Sequence, residues 1–463
     1  MSENGFNVAG RHVLVAGLGK SGRSAIDFCR RQGATVSVSD AGAGRPEDAA
    51  WLAGLGIASE FGGHSQKFCQ AADLILLSPG VPYDLPVFQE AREKGTPVIG
   101  ELALAPTYLR TPVIAVTGTN GKTTVTTLIG DLMRASGRKV FVGGNIGTPL
   151  TDYLMTDQEA EWLVLEVSSF QLDTAGTFRP EIGLLLNLSP DHLDRYPTYD
   201  DYALAKLNLF AHQRHNDVSI INADDPDTGR LVDGLKSLRP GWTPRRCLSF
   251  GQRLAGQPGA EVNGSTVRLL GDWLAGPDDL YELSGSDLSA SPNQENAAAA
   301  ILAARAAGCQ TAGIKQGLAA FQPLPHRMTL AAEIDGVRYI NDSKATNIGA
   351  VQAALDGMNS PVVLIAGGRD KGGDYTLMAE QVRSKVKAML LIGEAKEKMA
   401  AVFGSMTQVE RLDSLDQAVR RARGLAKPGD VVLLSPACAS FDMFSGYVER
   451  GQRFTELAAA LRD

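Results

Sequence analysis

The sequence predicts an α/β protein of three domains: a Rossmann-like N-terminal domain, a P-loop-type central domain with a mostly parallel sheet, and a Rossmann-like C-terminal domain. Three observations carry that expectation. Near the start, the turn Gly17-Leu-Gly19-Lys-Ser-Gly22 joins an apolar strand to a helical stretch. Further on, Val113–Val116 runs into Thr117-Gly-Thr-Asn-Gly-Lys-Thr-Thr124 and then another helix. In the last third, four apolar strands alternate with helical spans, the rhythm of a doubly wound parallel sheet.

Length and composition agree. A chain of 463 residues is too long for one ordinary core and suits two to three domains. Hydrophobic residues make up 44% and charged residues 21%, as in soluble globular proteins. The 50 glycines and few aromatics favour many tight strand–helix turns. A net charge of −7 argues against non-specific nucleic-acid binding, which wants a basic surface. Cys29, Cys69, Cys247, Cys309 and Cys438 are odd in number and scattered without zinc-ligand spacing, so reduced thiols are expected. No signal-peptide pattern or membrane-length apolar run is read, which gives a cytoplasmic expectation.

In the first part, 1–107, strand His12–Ala16 leads through the glycine turn into a helix at Arg23–Gln32 and a second strand, Thr35–Ser39, ending at Asp40. Gly-x-Gly-x-x-Gly between strand and helix, with an acid about 20 residues on, is a dinucleotide-type fingerprint. Strand Asp73–Leu77 ends in Ser78-Pro79-Gly80, again at the carboxyl edge where open α/β sheets bind ligands, and Pro97–Ile99 leads toward a linker marked by Pro106 and Pro112.

The second part, 108–323, holds the phosphate loop. Gly118 and Gly121 let backbone N–H groups face phosphate oxygens, Lys122 can reach the outer phosphates, and the Thr123 hydroxyl can ligate Mg²⁺. The general pattern has Gly where this chain has Val116, which distances it from ordinary P-loop NTPases without changing the phosphate chemistry. After Lys139–Val142 and Gly143-Gly-Asn145-Ile-Gly147, strand Trp162–Val167 carries Glu166 near its end, where a nucleotide site needs a Mg²⁺ ligand. Strand Gly183–Leu188 leads to Asp191-His192, which points to a metal or phosphate role for the histidine. Lys206 lies in a helical stretch and reads, on composition alone, as an exposed lysine. Strand Val218–Asn222 follows, and the glycine-rich stretch 251–290 gives only short strands.

The third part, 324–463, has strands Arg338–Asn341, Val362–Ala366, Ala388–Ile392 and Val431–Leu434. Arg327, Lys344 and Lys371 would gather positive charge at its loops, which suits anionic substrates. An ATP-driven ligase or kinase accounts for more of these features than a dehydrogenase, which needs no Lys-Thr phosphate loop. A switch GTPase would need an Asn-Lys-x-Asp sequence that is not found.

The run Val116–Thr124, Glu166-Val-Ser-Ser-Phe-Gln, Asp191-His-Leu-Asp-Arg-Tyr-Pro and Lys206 together resemble the Mur ligases and folylpolyglutamate synthetases. So do Asn293-Gln-Glu-Asn296, Leu324-Pro-His-Arg327, Asn341-Asp-Ser-Lys-Ala-Thr-Asn and Leu434-Ser-Pro-Ala-Cys-Ala-Ser440. The resemblance spans nearly the whole chain in family order and is strongest to the D-glutamate-adding branch. It implies a monomeric enzyme of peptidoglycan precursor synthesis, and hence of cell-wall growth and division, that uses ATP, UDP-N-acetylmuramoyl-L-alanine and D-glutamate through an acyl phosphate. Gly118, Thr119, Asn120, Gly121, Lys122, Thr123 and Thr124 would bind ATP, with Asn296, Arg327, Asp342 and Lys344. Two Mg²⁺ sites are implied, one on Thr123 and Glu166, the other on His192 and a carbamoylated Lys206. Lys122, Glu166, His192 and Lys206 form the catalytic set. Gly19, Lys20, Ser21, Asp40, Ser78, Pro79, Gly80, Asn145 and Ser168 would hold the UDP substrate. Thr346, Lys371, Ser440, Phe441 and Tyr447 would hold D-glutamate. Two departures stand out: Pro292 where relatives usually have His, and Ala41-Gly42-Ala-Gly-Arg45 after Asp40, where some place an Arg sooner. The Asp-Asn-Pro-Arg sequence of the diaminopimelate-adding relatives is not found.

Overall fold

The computed structural model describes residues 5–229, 246–271, 279–289 and 292–462. Of the glycine-rich stretch at 251–290, residues 272–278 and 290 lie outside the described residues. Three sheets carry the chain, and they fall into two compact units. The first unit comprises 1–188, 200–283 and 295–320, and the second 189–199, 284–294 and 321–463.

The first sheet contains β1 (His12–Ala16), β2 (Thr35–Asp40), β3 (Ala58–Phe61), β4 (Leu74–Leu77) and β5 (Val98–Gly100), in the order β3-β2-β1-β4-β5. All its pairings are parallel. The chain winds outward from β1 through β2 and β3, then returns to β4 on the other side. This reversal opens a crevice at the carboxyl ends of β1 and β4, where Gly17–Gly22 and Ser78–Gly80 lie. One face is filled by Leu14, Ala16, Ile75, Leu77, Phe88 and Val98.

The central sheet, also in the first unit, contains β6 (Val113–Thr117), β7 (Val140–Gly144), β8 (Trp162–Glu166), β9 (Ile182–Leu185), β10 (Val218–Asn222), β11 (Arg246–Gly251), β12 (Gly259–Asn263), β13 (Thr266–Leu270) and β14 (Leu280–Glu282). Their order is β14-β13-β12-β11-β10-β9-β6-β8-β7. From β7 to β12 the neighbours run parallel; β13 and β14 are antiparallel. Every residue of β6 is buried, as a strand covered on both faces must be. Its own switch point lies at β6, flanked by β8 and β9, so the phosphate loop leaves the sheet where ligands bind.

The sheet of the second unit contains β15 (Thr329–Ile334), β16 (Val337–Asn341), β17 (Val362–Gly367), β18 (Val386–Ile392), β19 (Gln408–Arg411) and β20 (Val431–Leu434), in the order β15-β16-β20-β17-β18-β19. The four expected strands are its centre; β15 adds an antiparallel edge and β19 a parallel one. The β15–β16 hairpin closes on Asp335-Gly336, and β12–β13 on Gly264-Ser265. Asp335 (φ 51°) and Gly336 (φ 74°) both take the left-handed backbone that a two-residue hairpin turn demands. Leu364, Leu391 and Leu433 pack one face, and Val363, Leu390 and Val432 the other.

Candidate active site

Beyond β6 the chain turns through Gly118–Gly121 into the helix Lys122–Ala135. Gly118 (φ 153°) and Gly121 (φ 82°) lie where side chains are disfavoured. A Cβ on Gly121 would also sit 2.4 Å from Asn296 Oδ1, so Asn296 lies directly against the loop. Lys122 Nζ donates to the carbonyls of Gly118 and Thr119, each at 2.9 Å, which holds the ammonium over the loop beside the positive helix end. Asn187, just beyond β9, braces the same loop. Its carbonyl accepts from Thr119 N at 2.9 Å, its Oδ1 accepts from Asn120 N at 2.8 Å, and its Nδ2 donates to Asn120 O at 3.2 Å. Asn187 was not among the expected site residues. Its place at the end of a strand neighbouring β6 is the signal that marks it.

Register brings Glu166 to the loop: β8 pairs with β6 so that Glu166 faces Val116. The carboxylate is 2% exposed. Asn145 donates from Nδ2 to Glu166 Oε1 at 2.8 Å and from its backbone N to Glu166 O at 2.8 Å. Glu166 Oε2 is buried with no hydrogen-bond partner. A buried carboxylate oxygen without a donor is costly, and a bound cation removes that cost. Among the described residues no group of three or more His, Cys, Asp or Glu could hold a metal on its own. Mg²⁺ does not need one, since it takes one or two carboxylates and completes its shell with phosphate oxygens, hydroxyls and water. The donor set here therefore fits Mg²⁺ bound together with a nucleotide.

Lys206 is not the exposed helix lysine that composition favours. It is 2% exposed on the helix Tyr199–Leu207, with Nζ donating to Gly118 O at 2.9 Å. The same nitrogen lies 4.6 Å from the Tyr202 ring centre, and the Tyr202 hydroxyl is 3.1 Å from Thr119 Oγ1. Ser168 caps the helix Ser169–Asp173 and engages Gln171 in a capping box, so its hydroxyl is committed within the turn.

At the first sheet, Asp40 accepts from Leu18 N at 2.6 Å and Gly42 N at 2.7 Å, which braces the glycine turn. Ser78 Oγ donates to Gly17 O at 2.8 Å, and a Cβ on Gly22 would lie 1.9 Å from that same carbonyl. Gly19 and Lys20 are exposed at the start of the helix Lys20–Arg31, and Lys20 Nζ donates to Gly147 O in the loop that carries Asn145.

In the second unit, His192 (φ 55°) stands beside Asp191, whose Oδ2 accepts from Asn347 Nδ2 at 3.1 Å. Asp191 Oδ1 lies 3.4 Å from Lys371 Nζ. These residues, with Thr346 and Tyr375, line a cavity of about 260 Å³. Its charged lining is Asp191, Asp374 and Lys371, the lysine lying against Asp191. Ser440, Phe441 and Tyr447 do not line it. Ser440 is buried, Phe441 is exposed, and the Tyr447 ring lies 3.9 Å from Lys344 Nζ. Asp342 follows β16 and accepts from Ser435 Oγ at 2.8 Å. Burial pushes its carboxyl up to about 7, against the opposing pull of the Ser435 hydrogen bond and the Arg327 charge. His192 thus groups with the second unit, and Glu166, Lys206 and Asn296 with the first.

One residue here escaped the sequence reading. Arg450, 1% exposed on the helix Tyr447–Ala459, donates to Ser343 Oγ at 3.0 Å, Ser343 O at 2.9 Å and Cys438 O at 3.2 Å. Burial draws its guanidinium down to about 10. It ties the Asn341–Lys344 segment to the segment after β20.

Comparison with known proteins gives a consistent result. Residues 11–100, 116–304 and 326–438 match the family models described as the Mur ligase MurD-like N-terminal domain, the Mur ligase middle domain and the Mur ligase glutamate ligase domain. The chain is 43% identical to the UDP-N-acetylmuramoylalanine–D-glutamate ligase of Desulfosudis oleivorans, over 98% of this chain and 97% of that one. It is 44% identical to the protein of that name from Desulfotalea psychrophila, over 100% and 99%. Among solved structures, a pseudomurein peptide ligase type C from Methanothermus fervidus shares the fold, with a TM-score of 0.60 at 19% identity over 97% of this chain and 100% of that one.

Proposed function

The chain belongs to the Mur ligase family, and from that premise we propose how its residues divide the chemistry. It is an ATP-dependent, ADP-forming ligase that adds D-glutamate to UDP-N-acetylmuramoyl-L-alanine in peptidoglycan precursor synthesis. A carboxylate oxygen of the precursor attacks the γ-phosphorus of ATP, and ADP leaves. The D-glutamate amine, having given up one proton, attacks the resulting acyl phosphate. The tetrahedral intermediate collapses to an amide, releasing phosphate and a second proton.

In this reading the Gly118–Thr124 loop cradles the phosphates, Lys122 exchanges its loop carbonyls for the β/γ-phosphate oxygens, and Asn296 lies beside the nucleotide. Thr123 and the unpartnered oxygen of Glu166 would hold Mg²⁺, which when bound neutralises charge building on the transferred phosphoryl group. Asn145 fixes the other Glu166 oxygen and faces the acceptor. His192, and Lys206 as its carbamate, would hold a second ion; the burial of Lys206 against Gly118 O supports a role at the loop. Gly19, Lys20, Ser21, Asp40 and Ser78–Gly80 take the UDP moiety, and Thr346 and Lys371 the D-glutamate carboxylates. We draw the domains at 1–107, 108–323 and 324–463, with a single chain as the working unit. No described helix is long and apolar enough to cross a membrane, and we assign the activity to the cytoplasm, where ATP is supplied.

The observation that carries this assignment is the buried, half-satisfied Glu166 carboxylate beside the phosphate loop. The test is phosphate release from Mg²⁺-ATP with UDP-N-acetylmuramoyl-L-alanine across D-glutamate, L-glutamate, L-lysine, diaminopimelate and L-alanine. Release is expected with D-glutamate alone, with the amide seen by mass spectrometry. Turnover with a different amino acid, or with none, would sink the substrate assignment.

A further inference from the structure

Glu101 follows β5 directly and opens a short 3₁₀ turn, Glu101–Leu104. It is 5% exposed, yet nothing in the reaction above uses it. Its Oε1 accepts from Thr151 N at 2.7 Å and from Thr151 Oγ1 at 3.1 Å, while Oε2 is buried with no hydrogen-bond partner. Thr151 lies in the helix Leu150–Leu154, a few residues beyond the Gly143–Gly147 loop that carries Asn145. The carboxyl therefore reaches from the end of the first sheet into the segment that presents Asn145 to Glu166.

Contacts from three further residues make this a joint between substrate-side elements. Ser24, one turn into the Lys20–Arg31 helix, lies 2.7 Å from Thr151 Oγ1 and donates to Asp152 Oδ1 at 2.5 Å. Lys20 donates to Gly147 O. Gly100 N donates to Thr174 O at 2.8 Å, and a Cβ on Gly100 would lie 2.2 Å from Thr174 Oγ1. Gly100 and Glu101 thus sit between the segment that follows the Asn145 loop and the end of the helix capped by Ser168. A purely structural joint would be met more cheaply by apolar packing than by a buried carboxyl with one oxygen unpaired. Burial pushes the Glu101 carboxyl up to about 7, reinforced by the Asp152 charge and opposed by hydrogen bonding from Thr151 and the Leu150 backbone.

We propose that Glu101 is a positioning residue for the UDP-linked acceptor: through Thr151 it fixes the Asn145 loop against the first sheet's ligand edge. The proposal rests on the ligase reading, because that reading makes the two edges bind one substrate. The acceptor is gripped at its nucleotide end by the first sheet and reacts at its far end beside Asn145. An error in the joint displaces the reacting carboxylate while leaving the ATP cradle intact.

The test is steady-state kinetics on Glu101→Ala, Glu101→Gln and Thr151→Val, with hydrogen exchange on the same proteins. In Glu101→Ala the KM for the UDP-linked acceptor is expected to rise and kcat to fall, each about tenfold, because misplacement of reacting groups is expensive. The KM for ATP stays within about twofold, since the phosphate loop is untouched. Glu101→Gln keeps an oxygen for Thr151 and recovers most of the loss. Amides from Asn145 to Thr151 exchange faster in Glu101→Ala, while those of the phosphate loop do not. Unchanged acceptor KM with only a lowered melting temperature would reduce Glu101 to a structural role and overturn the proposal. If Glu101→Ala does not fold, Thr151→Val decides by the same KM split. If the parent protein does not turn over this acceptor, the ligase reading fails, and exchange alone decides on the joint: faster exchange at 145–151 supports it, and unchanged exchange overturns it.

Discussion

The ligand edge of the central sheet and that of the second unit's sheet are built alike, with a carboxylate at or just past the end of a strand, yet they are finished differently. At the central edge Glu166 has one oxygen fixed by Asn145 and one without a donor, and Lys122 rests on its own loop's carbonyls. The second Glu166 oxygen is thus placed for a partner that the protein itself does not supply. At the other edge Asp342 is held by Ser435, and Arg450 fastens Ser343 to Cys438. Asn341 Nδ2 donates to Gly451 O at 2.8 Å and Thr455 Oγ1 at 3.0 Å. Strand-end position nominates a residue; the completeness of its hydrogen bonding separates a group waiting for ligand from one that builds the wall. Substitutions of Lys122 or Glu166 should therefore show in rate, and those of Arg450 or Asp342 in stability.

The largest effect is expected at the central edge. Lys122→Ala should lower ligase turnover by about a thousandfold or more, because the charge aimed at the transferred phosphoryl group is lost. Its melting temperature should stay near that of the parent, since its hydrogen bonds to Gly118 O and Thr119 O lie within the loop. Lys206→Ala should also lose turnover, and bicarbonate should not restore it. Full activity in Lys206→Ala would remove the carbamate, and an unfolded Lys122→Ala would erase the contrast between the edges.

Arg450→Met reverses the pattern. It removes a buried donor set and leaves the Ser343 and Cys438 carbonyls unpaired, at a cost on the order of 3 kcal/mol of folding stability. Denaturant titration should show this as a lower midpoint with an unchanged slope. The fraction that remains folded should keep turnover close to the parent's. A turnover loss without any stability loss would make Arg450 part of the chemistry.

Most of the central edge was legible in the sequence because its signals are local: a strand, a glycine turn, then Lys-Thr, with an acid ending the next long apolar strand. The same held for the first sheet, where Gly17–Gly22, Asp40 and Ser78 all follow strands. What escaped depends on register between distant segments. Asn187, Arg450 and Glu101 gain meaning only from what lies across from them; Lys206, a surface lysine on composition alone, was singled out by the family resemblance and lies packed against Gly118. The edge hairpins escaped for a different reason. Gly264-Ser265 and Asp335-Gly336 are turn signals, but the flanking strands are short and weakly alternating. Strand limits moved by a residue or two, as at Val98–Gly100 and Val386–Ile392, where pairing with a neighbour rather than hydropathy sets the end.

A smaller effect sharpens the comparison on a single group. Asp342 ionises near 7 in the folded chain because it is buried, against 3.8 for the ordinary carboxyl. Between those values the native state binds more protons than the unfolded chain, so this group's contribution to stability declines as pH rises from about 4 to about 7 and then levels off. The full span is at most ~4 kcal/mol, before relaxation around the charge and the Arg327 interaction reduce it. Asp342→Asn keeps an oxygen for Ser435 and removes the titration. Its stability measured from pH 4 to 8 should therefore lack that decline, and its advantage over the parent should be greatest above pH 7. Glu166→Gln should instead appear as a raised Mg²⁺ requirement in turnover. If Asp342→Asn instead follows the parent at every pH, the carboxyl is not held neutral by the wall around it, and the second edge is as open to ligand as the first.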